Sequence, residues 1–513
     1  MPDDTQPPTP PQAVPNPRLS RSRKPMTLRA LLAHRRCDRI SGFLIFFLVV
    51  FAPWAFGSVR PGAIWTVNVV CYLLGGLWVA KWLLRAGRES PPDRPSCAAG
   101  KPLLARLADG LMVALTAGLL GFCFVSALNA RAVYQPFEMV FDYRDYIAWL
   151  PHSYDRANTW DALTRYVALA CFFWSLRDWL AGADAEDTRS ERESDRHAGV
   201  TLVPRRLKNL VTVAGVNGAL IAVEGIVQRV SGTPKPLWLL EMSVNRDALA
   251  QFGPFGYRSN AAQFFNLLWP VLLGLWWTLA REARRRFPSR TDPRRHRHHW
   301  LLLPVAAMVV GAFFTSSRGG AFVTLGCLAL AAFVMFVGVR HRHASVKFGV
   351  MLLFGTLLCL GLYFGWDQLG ERLSDTRGGL VTREAIYDTA RQMAREHPWF
   401  GVGPGAFEYV FQLYRSSPDE YWPRQLHNDW LETLVTFGWS GSLMLLLAMF
   451  VAVTRWIAPG NPSVDWRFAA LTCVSIVGVL VHARFDYPMQ VYSVLLLTMM
   501  LFSILFSVSR RAS

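Results

Sequence analysis

The stretch HNDWLETLVTFGWSG (427–441) carries a long polar loop into an apolar run, and that transition decides the fold. A helix needs about 20 consecutive apolar residues to cross a bilayer. Working outward, such runs recur at 40–57, 63–84, 107–128, 161–180, 209–230, 261–280, 300–314, 320–339, 346–366, 436–457, 467–485 and 489–508. They predict an all-α polytopic membrane helix bundle of about twelve transmembrane helices. The composition agrees: 52% of the 513 residues are hydrophobic and only 18% are charged, against roughly a quarter in soluble domains.

The formal charge of +18 is placed by topology rather than by nucleic acid. Arg and Lys gather in alternate loops, the most basic being REARRRFPSRTDPRRHRHH (281–299). With the N-terminus inside, loops 85–106, 181–208, 281–299, 340–345 and 458–466 are cytoplasmic, as the positive-inside rule requires. Basic patches then meet anionic lipid, so the bilayer is the expected partner. Four regions follow: a disordered basic tail at 1–39, spans one to nine at 40–366, an external loop at 367–435, and the last three spans at 436–513. The first apolar run is too long for a signal-peptide core and reads as an uncleaved span. Cys37, Cys71, Cys97, Cys123, Cys171, Cys327, Cys359 and Cys473 fall in spans or inner loops and form no CxxC pair, which argues against disulfides and structural zinc. HRHH (296–299) belongs to the Arg-rich inner loop rather than to a metal site.

The external loop 367–435 departs from this charge pattern because it carries seven Arg residues. TREAIYDTARQMAREHP (382–398) reads as an external helix with Thr382 as N-cap, ending before Pro398. Arg383, Arg391 and Arg395 repeat at roughly helical spacing. GVGPG (401–405) reads as a structural turn, although its backbone N–H groups would suit a phosphate.

Ionisable groups at the ends of spans are functional candidates. TSSRGG (315–320) interrupts an apolar stretch and puts Arg318 there, flanked by Ser317 and Gly319. A guanidinium fork suits bidentate phosphate contact; the plain alternative is an interfacial Arg tying helix ends together. Arg383 taken alone is a surface Arg. His427 stands before Asn428 and Asp429 at a helix start, where either could cap the helix. An imidazole there could take a proton from an attacking hydroxyl, or simply sit at the interface. Glu432, one turn beyond Asn428, could orient a neighbour or support the helix. The aromatics of FGPFGYRSN (252–260) and Arg258 border an active-site cavity or belong to an interfacial belt. His482, Arg484 and Asp486 form either a buried polar network or an accessory part of the site. No Walker, HExxH or GxSxG motif occurs, so neither a metal nor another cofactor is expected.

The order of FGPFGYRSNAAQ (252–263), TSSRGG, R383EAIYDTARQM with HPWFGVGPGAF (397–407), and HNDWLETLVTFGWSG resembles the O-antigen ligase and O-antigen polymerase superfamily of membrane glycosyltransferases. The resemblance implies transfer of a glycan from a polyprenyl diphosphate carrier to an acceptor hydroxyl on the external face of the cytoplasmic membrane, with no nucleotide sugar or metal. The acceptor is lipid A–core in ligases and another carrier-linked glycan in polymerases. By motif match, Arg318 and Arg383 would bind the diphosphate and His427 would activate the acceptor. Ser317, Gly319, Asn428 and Arg258 join them as expected substrate contacts. Protein O-oligosaccharyltransferases are a neighbouring reading. A transporter or flippase would explain the spans but not the external Arg and His residues. Loops 129–160, 181–208 and 231–260 carry no assignable motif.

Overall fold

The computed structural model describes residues 26–86, 103–182, 203–241, 247–287, 289, 291–338, 352, 355–356, 376–415, 422–457 and 465–508. The main helices are α1 Leu28–Trp54, α2 Pro61–Arg85, α3 Leu103–Leu128, α4 Arg156–Leu180, α5 Arg205–Ser231, α6 Arg258–Arg286, α7 Leu302–Phe314, α8 Arg318–Gly338, α9 Thr376–Glu396, α10 Phe407–Phe411, α11 Asp429–Ile457, α12 Trp466–His482 and α13 Tyr492–Val508. Eight helices among the described residues are long and apolar enough to cross a membrane, and two shorter apolar ones, Trp466–His482 and Tyr492–Ser507, accompany them. Of the expected twelve, eight meet this measure among the described residues. The run 346–366 lies almost wholly outside the described residues. The run 161–180 forms helix α4, which falls outside the eight because it carries Asp161, Arg165, Arg177 and Asp178.

Helix starts lie further out than the apolar runs, because polar caps and charged first turns extend them. Helix α1 begins at Leu28, capped by Thr27, so HRRCDR (34–39) is helical rather than part of a tail. Asp155 caps α4 and Asp465 caps α12 through side-chain bonds to backbone N–H groups, the ordinary role of Asp at that position. Helix α9 begins at Thr376, so Thr382 lies within it and is not its cap. The chain is not purely helical. Strands β1 Ala132–Gln135 and β2 Val140–Tyr143 form an antiparallel hairpin inside the loop 129–160.

Helix α6 forms the centre of the bundle. Its residues from Ser259 to Leu275 are buried without a break, the pattern of a helix surrounded on all sides. Helices α5, α7, α8 and α12 pack around it. The two ends of the bundle differ in chemistry. At one end Lys81 is fully buried between Asp38 (3.1 Å) and Asp178 (2.8 Å). Arg206 reaches Asp38 (2.7 Å), Arg177 reaches Asp109 (2.7 Å), and Arg281 and Arg467 share Asp465. These pairs satisfy charges that would be costly at a helix end if left alone. The motifs at 252–263, 315–320, 383–407 and 427–441 lie at the opposite end.

One joint fixes that opposite end. Helix α11 is broken at Gly438, whose φ of 60° and ψ of −168° are not helical. The backbone of 398–403 fills the break. Val402 N–H donates to Val435 O (2.8 Å) and Gly403 N–H to Thr436 O (3.1 Å), while Trp439 and Ser440 N–H donate to Pro398 O (2.8 Å) and Trp399 O (3.1 Å). Carbonyls and amides freed by the kink are thus paired again, as a buried backbone demands. The fit leaves no room for a side chain: a Cβ at Gly438 would lie 2.4 Å from the Trp399 carbonyl carbon, and one at Gly401 would lie 2.5 Å from that of Thr436. On its other side the turn meets the start of α4, where Tyr154 N–H donates to Val402 O (2.9 Å) and Thr159 Oγ1 to Pro404 O (2.9 Å).

Gly438→Ala should therefore destabilise the detergent-solubilised protein by about 2–4 kcal/mol. Gly326→Ala, where a Cβ meets open space, should not. Equal melting temperatures for the two variants would remove the role given to this joint.

Candidate active site

His427 sits at the start of α11 with φ of 56°, a left-handed conformation that costs a non-glycine residue of order 1–3 kcal/mol. The surroundings hold it there. Tyr387 Oη donates to the His427 carbonyl (2.9 Å), and Glu432 Oε2 accepts the Leu426 N–H (2.9 Å). Asn428 is buried, and its Oδ1 accepts the Leu431 N–H (3.2 Å). Asn428 is thus the helix N-cap. Asp429, the other cap candidate, instead accepts the Met489 N–H (2.8 Å) and pins the 483–491 segment to α11.

The imidazole is oriented by an acid. His427 Nδ1 lies 3.0 Å from Asp486 Oδ1, and the other carboxylate oxygen lies 3.9 Å from His482 Nε2. His482 Nε2 is in turn 2.9 Å from Ser259 Oγ, and Ser317 Oγ donates to Ser259 Oγ (3.3 Å). A polar chain therefore runs from α11 through the 483–491 segment to the starts of α6 and α8. Burial on its own would raise the Asp486 carboxyl. The hydrogen bond from His427 and the nearby His482 ring outweigh it and hold Asp486 well below the usual carboxylate range. It is thus an ionised acceptor throughout the working pH range. The stabilisation it gives is present at neutral pH and is lost only as pH falls through its depressed folded value.

Two tyrosines wall the ring. Tyr487 lies 4.7 Å from His427, centroid to centroid, at 79°, and Tyr257 stacks on Tyr487 at 5.5 Å and 6°. Burial first, and then Asp486, raise the Tyr257 phenol, so it stays protonated. With Nδ1 engaged by Asp486, Nε2 is the nitrogen left to face a substrate. The His427 side chain is 24% exposed, so this edge reaches solvent.

The sequence-derived residues converge on this point to different degrees. Arg383 Nη1 donates to Phe485 O (3.0 Å), beside Asp486, and its charge is felt by Tyr257 and Tyr387. Gly319 faces His482, its Cβ position being 3.7 Å from the imidazole, and the adjacent Arg318 is exposed at the first turn of α8. Ser317 is buried and caps α8 by accepting the Gly320 N–H (3.1 Å). Arg258 Nη1 donates to Leu249 O (2.7 Å) and braces the 247–257 loop. Ser317, Asn428 and Arg258, expected as substrate contacts, thus have side chains engaged within the protein. The GVGPG amides of Val402 and Gly403 are spent on α11, which makes the turn structural. Among the described residues no three His, Cys, Asp or Glu side chains are grouped so as to hold a metal ion.

Residues 303–446 match the model of the O-antigen ligase family. That segment is similar to O-antigen ligases. No curated protein matches the chain. The matched segment contains Arg318, Arg383 and His427, while Tyr257, His482 and Asp486 lie outside it. Its apolar helices make this a multi-pass membrane protein. Sequence reasoning placed the aromatics around Arg258, Tyr257 among them, beside a candidate site, and missed Tyr387, Tyr487 and Ser259. Tyr257 and Ser259 adjoin Arg258, so that motif was their only signal.

Asp486→Asn should lower kcat by about two to four orders of magnitude with little change in KM, while the protein still inserts. Turnover close to wild type would show that Asp486 only packs against the ring.

Proposed function

We propose that this protein is an O-antigen ligase-like, metal-independent inverting glycosyltransferase. It moves a glycan from a polyprenyl diphosphate carrier, undecaprenyl diphosphate in kind, to a hydroxyl of lipid A–core. The single observation that carries this reading is the contact between His427 Nδ1 and Asp486 (3.0 Å) with Arg383 bound beside Asp486 at Phe485 O (3.0 Å). A base and a fixed cation stand together at one end of an apolar bundle.

His427 Nε2 takes the proton from the acceptor hydroxyl as its oxygen attacks the anomeric carbon. Asp486 stabilises the imidazolium that forms. The bond between the anomeric carbon and the carrier's phosphate oxygen breaks, and the diphosphate leaves with the electron pair. Arg383 and Arg318 meet the charge developing on it, in a site where fixed cations need no rearrangement. Gly319 lets that segment approach His482, and the first turn of α8 adds its dipole. Attack from the face opposite the leaving group inverts the anomeric carbon. The site end faces outward, to the periplasm, because the most basic loops lie at the other end.

An O-antigen or exopolysaccharide polymerase uses the same donor and the same site residues, as does a protein O-oligosaccharyltransferase. They differ in the acceptor. A transporter or flippase explains the spans but leaves the external Arg and His residues without a use.

Arg318→Lys and Arg383→Lys should each lose most activity, about tenfold or more, while inserting normally, because an ammonium cannot give a bidentate contact. Near-normal turnover in both would remove the guanidinium argument. Linkage analysis of the product should show the donor's anomeric configuration inverted; retention would exclude direct attack.

A further inference from the structure

We propose that a second, polar cavity on the site end of the molecule is a glycan subsite that holds sugar units of the donor remote from the reacting bond. The inference rests on the transferase reading above. The cavity has a volume of about 520 Å³ and is lined by Arg131, Tyr143, Tyr154, Gln392, Glu396, Leu413, Tyr414 and Arg415. It lies where the hairpin β1–β2, the C-terminal turns of α9 and the segment after α10 meet. The hairpin loop, which has no motif of its own, thus supplies one wall.

With the guanidinium groups of Arg131 and Arg415 beside the Glu396 carboxylate and three tyrosines, the chemistry suits a hydroxyl-rich ligand. The floor is a stacked platform: the Arg131 guanidinium lies 4.2 Å from the Tyr154 ring centroid and 5.0 Å from that of Tyr146. Its Nε is buried without a hydrogen-bond partner among the described residues. The rim is a planar polar strip, in which Tyr414 Oη donates to Glu396 Oε2 (2.6 Å) and Gln392 Nε2 to Glu396 Oε1 (2.9 Å). Tyr143, on the open side, is 60% exposed. Aromatic faces beside amide and carboxylate groups offer a sugar ring a surface for its C–H face and partners for its hydroxyls. His397, behind the platform, is lowered by burial and then by Arg131, so it stays neutral. A phosphate would instead find its partners at Arg318 and Arg383.

Helix α9 sets the spacing. Arg383 and Tyr387 contact the catalytic segment, and Gln392 and Glu396 reach the cavity on the same helix. At about 1.5 Å per residue, Gln392 lies about 8 Å and Glu396 about 14 Å along the axis from Tyr387. That is the reach of a short oligosaccharide rather than of one ring. The cavity would therefore sense whether the donor carries an extended glycan.

The test compares two carrier-linked donors, one bearing a single repeat unit and one bearing several, with wild type, Tyr143→Ala and Gln392→Ala. Both substituted side chains are exposed, so the variants should fold. The expected result is a KM for the long donor raised about five- to tenfold with kcat unchanged, and unaltered kinetics on the short donor. Equal effects on both donors, or none on either, would overturn the subsite. A second readout is saturation-transfer NMR of nanodisc-embedded protein with lipid-free polysaccharide released from the producing cell's envelope. Loss of signal in Tyr143→Ala, with His427→Ala unchanged, supports the subsite even if neither donor is turned over, a result that would defeat the transferase reading instead. A signal retained in Tyr143→Ala overturns the subsite.

Discussion

The break in α11 at Gly438, filled by the backbone of 398–403, is the constraint on which the site end depends. A kink inside a membrane-spanning helix exposes carbonyls and amides that lipid cannot satisfy. Here another part of the chain supplies the partners, through four backbone hydrogen bonds. The repair has a consequence for chemistry. It ties the C-terminal end of α9 to the helix that starts at His427, so the Arg383 helix and the His427 helix cannot drift apart. The same turn is clamped to the start of α4 through Tyr154 and Thr159, which positions the hairpin side of the molecule as well.

Around that joint, charges separate by function. Buried Lys81 and its partners at the opposite end are closed ion pairs, each cation matched by Asp38 or Asp178. Such pairs order helix ends and leave nothing over for a ligand. At the site end, Asp486 is satisfied by two imidazoles, and Arg383 spends a bond on a neutral carbonyl rather than a carboxylate. Its positive charge remains for an anionic substrate. The strained backbone of His427 falls at this junction, as strain at working residues commonly does.

The fold was largely legible because the bilayer imposes long apolar runs that composition reveals directly. Spans around α2, α3, α5, α6, α8 and α11 could be read to within several residues. The start of α9 at Thr376 could not, because its first turns carry no apolar signal. The hairpin escaped because strands of four residues hold too little alternation to stand out. At the site, Arg318, Arg383 and His427 were visible as charges where a membrane protein should avoid them. Asp486 was visible only as one of a polar trio, since a single Asp before Tyr487 and Pro488 names no partner. The tyrosines were hidden among the many interfacial aromatics. Between Asn428 and Asp429 as the cap of α11, the sequence left the choice open, and the hydrogen bond from Leu431 N–H to Asn428 resolves it.

The central claim is that His427 activates an acceptor hydroxyl toward a carrier-linked glycan. The most direct measurement incubates purified protein with a polyprenyl-diphosphate oligosaccharide and two competing acceptors, lipid A–core and a second carrier-linked repeat, beside His427→Ala. The account expects transfer to lipid A–core that vanishes in the variant, and ladders of repeats would move the acceptor but keep the mechanism. Transfer that survives in His427→Ala, or no transfer to either acceptor from a competent donor, would contradict it.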